Sequence, residues 1–149
     1  MVIIVKPHAK NLRKGRYSEG NRIYLITTVT ENRIKVFEDL VSARIIINVL
    51  KEEQSRKSAE TLSFVLMPDH LHWLMQLKAG SHLSKVVGRI KSVSAHQLGG
   101  KIWQAGFYDH ALRKEEDIQG IARYIVANPL RAGLVDKIGD YSHWDAKWM

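Results

Sequence analysis

The chain has 149 residues, no cysteine and a formal net charge of +8 with histidine neutral. This length suits one domain with a buried core, and the lack of cysteine excludes disulfides and thiolate metal sites. No apolar run approaches the roughly 18 residues that a membrane-spanning helix needs. The apolar opening Met1–Val5 is too short for a signal peptide, so we expect a cytoplasmic protein without membrane contact. The excess of Lys and Arg favours a nucleic acid as partner, with a merely basic soluble protein as the alternative.

The pattern of apolar residues predicts the element order strand, helix, strand, strand, helix, strand, helix. The predicted strands are Arg22–Thr30, Ser63–Met67, His70–Leu77 and Lys101–Leu112, and the predicted helices are Phe37–Lys57, Ser81–Leu98 and Glu115–Asn128. This order predicts an α+β fold with helices packed on an antiparallel sheet of ferredoxin-like type. We assign residues 1–20 to a basic arm, residues 21–135 to the single domain, and residues 136–149 to a tail that packs on it.

Turn and cap residues set several of these boundaries. Pro68 and Asp69 predict a turn that joins two strands as a hairpin at the middle of the sheet. Ser81 is a candidate N-cap for the second helix. Pro129 is expected to end the third helix, because its ring disfavours a helical residue before it.

Two histidines lie on the strand that follows this turn. Alternate residues of a strand share one face, so His70 and His72 project from the same side of the sheet. The intervening positions are apolar and point to the other face: Leu71, Trp73, Met75 and Leu77. Two imidazoles placed in this way can chelate one divalent ion. A histidine pair with one residue between its members is also common without any ligand role, so the pair alone leaves both interpretations open.

The third helix carries a tyrosine and an asparagine four residues apart. Tyr124 and Asn128 therefore share one helix face. Without cysteine, an amide or a carboxylate must supply the further ligand of a metal site, and Asn128 offers an amide. Taken alone, Tyr124 is also compatible with a half-buried core residue and Asn128 with a C-terminal cap.

At this point two strings of the sequence resemble the motifs of a known family. The segment Val65–Leu74, VLMPDHLHWL, resembles the HUH motif of the single-tyrosine transposases, in which two histidines flank a hydrophobic residue. The segment Ala122–Val135, ARYIVANPLRAGLV, is similar to the tyrosine helix of that family and its exit. Further matches are Lys91-Ser92, Trp103-Gln104, the run from Phe107 to His110, and Arg113. The resemblance covers roughly Gly15 to Val135 and is greatest to the REP-associated tyrosine transposases, so it implies a transposase fold of the IS200-like type.

The resemblance also implies a chemistry and a set of site residues. It implies an enzyme that cleaves and rejoins single-stranded DNA near hairpins, with Tyr124 as the nucleophile and a 5′-phosphotyrosine as the intermediate. It implies a divalent metal, Mg²⁺ or Mn²⁺, on His70, His72 and Asn128. Several other polar residues are weaker candidates for DNA contacts, either as a stripe on the second helix or as matches to family positions: Lys85, Arg89, Lys91, Ser92, His96, His110 and Arg113. The alternative for the stripe is a solvated helix face.

Two other functions fit the same residues. One is a metal-dependent nuclease that uses an activated water, in which Tyr124 is structural. The other is a DNA-binding module that has kept the fold without the chemistry. The sequence leaves the target DNA, the physiological metal and the choice between homodimer and monomer open.

Overall fold

The structure is a computed structural model, and it describes residues 22–113, 117–137, 141 and 143–146. The strands are β1 (Ile23–Val29), β2 (Ala59–Met67), β3 (His70–Leu77), β4 (Tyr108–Ala111) and β5 (Trp144–Ala146). The helices are α1 (Leu40–Ser55), α2 (Leu83–Gln97), α3 (Ile118–Val126) and α4 (Asn128–Arg131), and two short 3-10 turns, Glu31–Arg33 and Val36–Glu38, follow β1. The proposed basic arm lies outside the described residues.

The strands form one antiparallel sheet in the order β4-β1-β3-β2-β5. The first four follow the ferredoxin-like arrangement, in which β1 and β2 are separated by β3 and connected through α1. The predicted fold class is therefore confirmed, and β3 lies at the centre of the sheet as expected. The short β5 pairs with the outer edge of β2, from Ser63 opposite Ala146 to Val65 opposite Trp144.

The two faces of the sheet bury different helices. Helices α1 and α2 cover one face, where their apolar side chains pack on Leu71, Trp73, Met75 and Leu77 of β3. Helix α3 covers the other face and packs on Leu25, Val65, Met67 and Leu74. The alternation predicted for β3 is thus correct, and it leaves the two histidines on the face that α3 covers.

The third helix differs from its predicted range. It ends at Val126, and a separate turn of helix, α4, begins at Asn128 with Pro129 in its first turn. Proline is tolerated there because the first amide groups of a helix have no intrahelical acceptor. The third helix thus ends before Pro129, as expected, but it ends two residues earlier than predicted, its C-cap is Ala127 rather than Asn128, and the proline lies in the first turn of a new helix.

The starts of two other helices also differ from their predicted positions. The N-cap of α2 is His82 and not Ser81, whose amide instead closes a turn with the carbonyl of Lys78. Helix α1 begins at Leu40 because Asp39 caps it, accepting hydrogen bonds from the amide and hydroxyl of Ser42. Among the described residues, no helix is both long and apolar enough to cross a membrane.

Candidate functional site

The histidine pair is held by neighbours on its own face of the sheet. The Nδ1 atom of His70 lies 2.7 Å from the carboxylate of Asp69. The Nδ1 atom of His72 lies 2.8 Å from the hydroxyl of Thr27, which is directly opposite it on β1. Because a carboxylate can only accept, His70 donates through Nδ1 and carries its lone pair on Nε2. When the hydroxyl of Thr27 accepts a hydrogen bond from Nδ1 of His72, that histidine has the same tautomer, with its lone pair on Nε2.

Burial keeps both imidazoles uncharged. The pKa of His72 is lowered to about 3 by burial, with smaller contributions from the charges of His70 and Arg131. The pKa of His70 is also below its ordinary value, because burial outweighs the hydrogen bond and the charge of Asp69. Neutral imidazole is the form that binds a metal ion. The pair is therefore ready to act as a ligand at neutral pH without losing a proton.

The separation of the two rings fits a shared ion. Their centroids are 4.8 Å apart and their planes are at 80°. An ion about 2.1 Å from each Nε2 lies about 3.2 Å from each ring centre, so two imidazoles on one ion have centres roughly 4.6–5.3 Å apart. Within the described residues, no group of three or more His, Cys, Asp or Glu side chains could hold a metal. A third protein ligand from that part of the chain must therefore be of another type, which an amide such as Asn128 satisfies.

Helices α3 and α4 bring the tyrosine and the asparagine to the same face of the sheet. Ile121, Ala122, Ile125 and Val126 are buried between α3 and the strands. Tyr124 is half-buried and packs against the edge of this cluster, and Asn128 follows one turn later at the start of α4. The two histidines and α3 therefore lie on the same face of the sheet, which is the arrangement that a single site needs.

Arg131 connects these two halves of the site. Its guanidinium donates one hydrogen bond of 2.6 Å to Oδ1 of Asn128 and one of 2.7 Å to the carbonyl of Tyr124. It also lies over the phenol ring of Tyr124, 3.8 Å from the ring centroid, which is a cation–π distance. The same charge contributes to the lowered pKa of His72. The cation thus contacts the nucleophile candidate and the amide, and its charge reaches His72.

The basic stripe of the second helix lies in the other layer of the molecule. Helix α2 packs on the sheet face opposite the histidines, and Lys85, Ser92 and His96 are exposed on its outer side. Arg89 instead makes a two-point ion pair with Glu53, and Lys91 donates to the carbonyls of Gln104 and Gly106. These contacts hold α2 to α1 and to the loop before β4. A DNA-binding role for the residues of the stripe stays a prediction.

Strand β4 adds side chains to the histidine face. Register places Tyr108 beside Thr27, which is itself beside His72, and places His110 beside Leu25. Side chains opposite each other in an antiparallel pair share a face, so Tyr108 and His110 lie on the site side of the sheet. Arg113 is exposed just after the strand. His110 thus lies on this face and Arg113 is exposed beyond the end of β4, and their predicted contact with DNA stays a prediction.

Sequence reasoning missed three residues that this geometry brings into the site: Thr27, Asp69 and Arg131. Asp69 could have been found, because a carboxylate next to a candidate ligand histidine is a common orienting partner. Thr27 is separated from His72 by 45 residues, and its role depends on strand register. Arg131 depends on the extra helical turn after Ala127, which the pattern did not predict.

The known protein sequences that are similar to this chain include transposases. Residues 19–128 match the family described as Transposase IS200 like. A REP-associated tyrosine transposase of Escherichia coli (strain K12) is 33% identical over 84 residues, which are 55% of this chain and 51% of that protein. A protein of Haemophilus influenzae, provisionally assigned to the same group, is 25% identical over 138 residues, which are 81% of this chain and 77% of that protein. The chain thus spans about half the length of the first relative and about three quarters of the second.

Two solved structures share the fold. A REP-associated tyrosine transposase bound to a REP hairpin superposes with a TM-score of 0.76 at 24% identity, over 87% of this chain and 79% of that one. A provisionally assigned transposase of Deinococcus radiodurans superposes with a TM-score of 0.55 at 18% identity, over 74% and 93%. At these identities the likeness is one of fold.

Proposed function

The chain belongs to the IS200-like transposase family, and from this premise we propose that it cleaves and rejoins single-stranded DNA with Tyr124 as the nucleophile. The observation that carries the proposal is the common sheet face of the histidine pair and α3, with Arg131 in contact with both Tyr124 and Asn128. A solely structural tyrosine on α3 would not require a neutral histidine pair and a cation on the same face.

The proposed reaction exchanges one phosphate ester for another. The phenol of Tyr124 loses its proton as its oxygen attacks the scissile phosphorus, the bond from phosphorus to the 3′ oxygen breaks, and that oxygen takes up a proton and leaves as a 3′-hydroxyl. The product is a 5′-phosphotyrosine, which a later 3′-hydroxyl attacks to restore the DNA backbone and release the phenol. Because the ester bond is retained, no external energy source is needed.

The residues of the site have separate tasks in this scheme. A phenol has a pKa near 10 and is a weak nucleophile at neutral pH, so attack depends on position and on stabilised charge. His70, His72 and Asn128 would hold Mg²⁺ or Mn²⁺, which when bound supplies charge stabilisation at the scissile phosphate. Asp69 and Thr27 fix the two imidazoles. Tyr124 on α3 and Asn128 at the start of α4 are both bonded to Arg131, which fixes their relative geometry.

The proposed substrate is a single strand next to a DNA hairpin. The net charge of +8 favours a polyanion. The similar structure of a REP-associated tyrosine transposase contains a REP hairpin, and we extend that class of substrate to this chain. Neither the bases at the cleavage site nor the number of subunits is part of the proposal.

The test is covalent capture of DNA by matched tyrosine variants. The chain is incubated with a hairpin oligonucleotide taken from the DNA that flanks its own gene, with Mn²⁺ or with a chelator, and then denatured. The wild type and Tyr108→Phe, which alters another tyrosine on the same sheet face, should form an adduct only with the metal. Tyr124→Phe should form none while it still binds the oligonucleotide. Cleavage to a free 5′-phosphate without an adduct would instead indicate an activated-water nuclease, and binding without cleavage in either condition would indicate a non-catalytic module.

A further inference from the structure

The environment of Arg131 has a consequence for metal binding. Its guanidinium donates to Oδ1 of Asn128 at 2.6 Å, so a permanent positive charge lies against the amide oxygen proposed as a metal ligand. The same group is 3.8 Å from the centroid of the Tyr124 ring and bonds the carbonyl of that residue. Three contacts thus hold one cation between the nucleophile and the ligand.

This charge cannot be removed by titration. An arginine side chain stays protonated at every pH at which proteins are folded, and Arg131 is only three residues from Asn128 on the same short helix. Two positive charges at such close range repel each other, although solvent screens part of this repulsion because Arg131 is exposed. Without DNA, Arg131 therefore opposes a divalent ion at Asn128.

A DNA phosphate reverses this effect. Guanidinium groups bind phosphate oxygens through two parallel hydrogen bonds. A phosphate placed for attack by Tyr124 comes within reach of a guanidinium that lies over the ring of that tyrosine. Once Arg131 pairs with the phosphate, its charge is compensated, and Oδ1 of Asn128 is released to the ion.

We propose that Arg131 couples metal binding to DNA binding, so that the site holds its divalent ion firmly only when a phosphate lies beside Tyr124. This inference rests on the proposed function and places Arg131 in contact with the scissile phosphate, beside the nucleophile. It confines the assembled site to the DNA-bound state, which protects other phosphodiesters from cleavage by the free protein.

The test is the affinity for Mn²⁺, measured by titration calorimetry on the full chain. Arg131→Gln removes the charge but keeps an amide that can still donate to Asn128, while Arg131→Lys keeps the charge. Arg123→Gln removes an equal charge from an exposed position on α3 and is the matched control. Titrations are repeated with the flanking hairpin oligonucleotide in a Tyr124→Phe background, in which DNA is bound and not cleaved.

Without DNA, Arg131→Gln should bind Mn²⁺ on the order of tenfold more tightly than the wild type, since a like charge is removed. Arg131→Lys and Arg123→Gln should stay close to the wild type. In the Tyr124→Phe background, adding the oligonucleotide should strengthen Mn²⁺ binding by a clearly larger factor when Arg131 is present than in Arg131→Gln, where only the direct attraction between phosphate and ion remains.

Two results would overturn the inference. Equal or weaker Mn²⁺ binding by Arg131→Gln without DNA would show that the arginine does not oppose the ion, even if the Tyr124 adduct forms as proposed. Mn²⁺ binding that is unchanged in His72→Ala would show that the ion lies elsewhere, and this outcome would overturn the proposed metal site as well. The adduct assay reports on the proposed function separately from both.

Discussion

The ion pair between Arg89 and Glu53 makes a testable claim about stability, because sequence reasoning assigned the same arginine to DNA. The Glu53 side chain is only 2% exposed, and Arg89 binds both of its carboxylate oxygens, with 2.9 Å between the guanidinium Nη2 and Oε2. Ser58 donates a further hydrogen bond to the carboxylate. The pair joins α2 to the end of α1. Removing Arg89 therefore leaves a buried negative charge with a serine as its remaining partner among these contacts.

The expected cost follows from the burial of the two partners. Breaking a buried ion pair by removing one side costs about 3–5 kcal/mol. Arg89 keeps 35% of its side-chain surface exposed, so solvent screening lowers the expectation for Arg89→Ala to about 2–4 kcal/mol. For a chain of this size, such a loss corresponds to a decrease of roughly 5–15 °C in Tm.

The assay is urea unfolding followed by circular dichroism, together with DNA affinity measured on the folded variants. Lys85→Ala, four residues earlier on the exposed side of α2, is the matched control and should change the free energy of unfolding by less than about 0.5 kcal/mol. Replacing Glu53 and Arg89 together by methionine should recover most of the loss. An Arg89→Ala variant as stable as the wild type but weaker in DNA binding would refute the structural interpretation and restore the DNA-contact one.

Three more predictions test the electrostatics and the attachment of the tail. Burial alone would raise the pKa of the carboxyl paired with Arg89, but the hydrogen bonds from Arg89 and from the neighbouring serine outweigh burial and lower it. That carboxyl therefore stabilises the wild type above its unfolded pKa and loses this effect as pH falls through its folded pKa. The penalty of Arg89→Ala in urea unfolding should be full at pH 7 and shrink as the pH falls below the ordinary carboxyl pKa of 4.5; a penalty independent of pH would contradict this. Asp69→Asn should weaken Mn²⁺ binding in titration by about 10–100-fold, because the carboxylate orients His70, and unchanged affinity would exclude that role. Tyr141→Phe should cost about 1 kcal/mol in the free energy of unfolding, since it removes the 2.6 Å hydrogen bond to the carbonyl of Leu66, and an unchanged value would show that this contact does not stabilise the domain.

Local patterns predicted the sheet and the faces of its central strand. Alternation along β3 placed the two histidines opposite the buried Trp73 and Met75, and the structure has the same division. The element order was correct because apolar periodicity is a local property that survives packing. The predicted starts of the helices were less accurate where a capping residue sets the first turn, as Asp39 does for α1 and His82 for α2.

The candidate site was only partly predictable. The four-residue spacing of Tyr124 and Asn128 was visible in the sequence, although Tyr124 lies on α3 and Asn128 begins α4. The contacts of Thr27 and Arg131 were not, because one depends on strand register across 45 residues and the other on a helical turn that follows an unexpected break. The stripe on α2 looked like a single solvated or DNA-binding surface, yet Arg89 is used inside the protein, where its partner Glu53 is almost fully buried.

The central claim is that Tyr124 becomes linked to the new 5′ end of the downstream fragment when the DNA strand is cut. The most direct measurement uses the flanking hairpin oligonucleotide labelled at either end, incubated with the protein and Mn²⁺ and then denatured. Our account predicts that the 3′-end label stays on the protein, attached to the peptide that contains Tyr124, while the 5′-end label is released on a fragment with a 3′-hydroxyl. Retention of the 5′-end label, attachment to another residue, or cleavage with both labels free would contradict it.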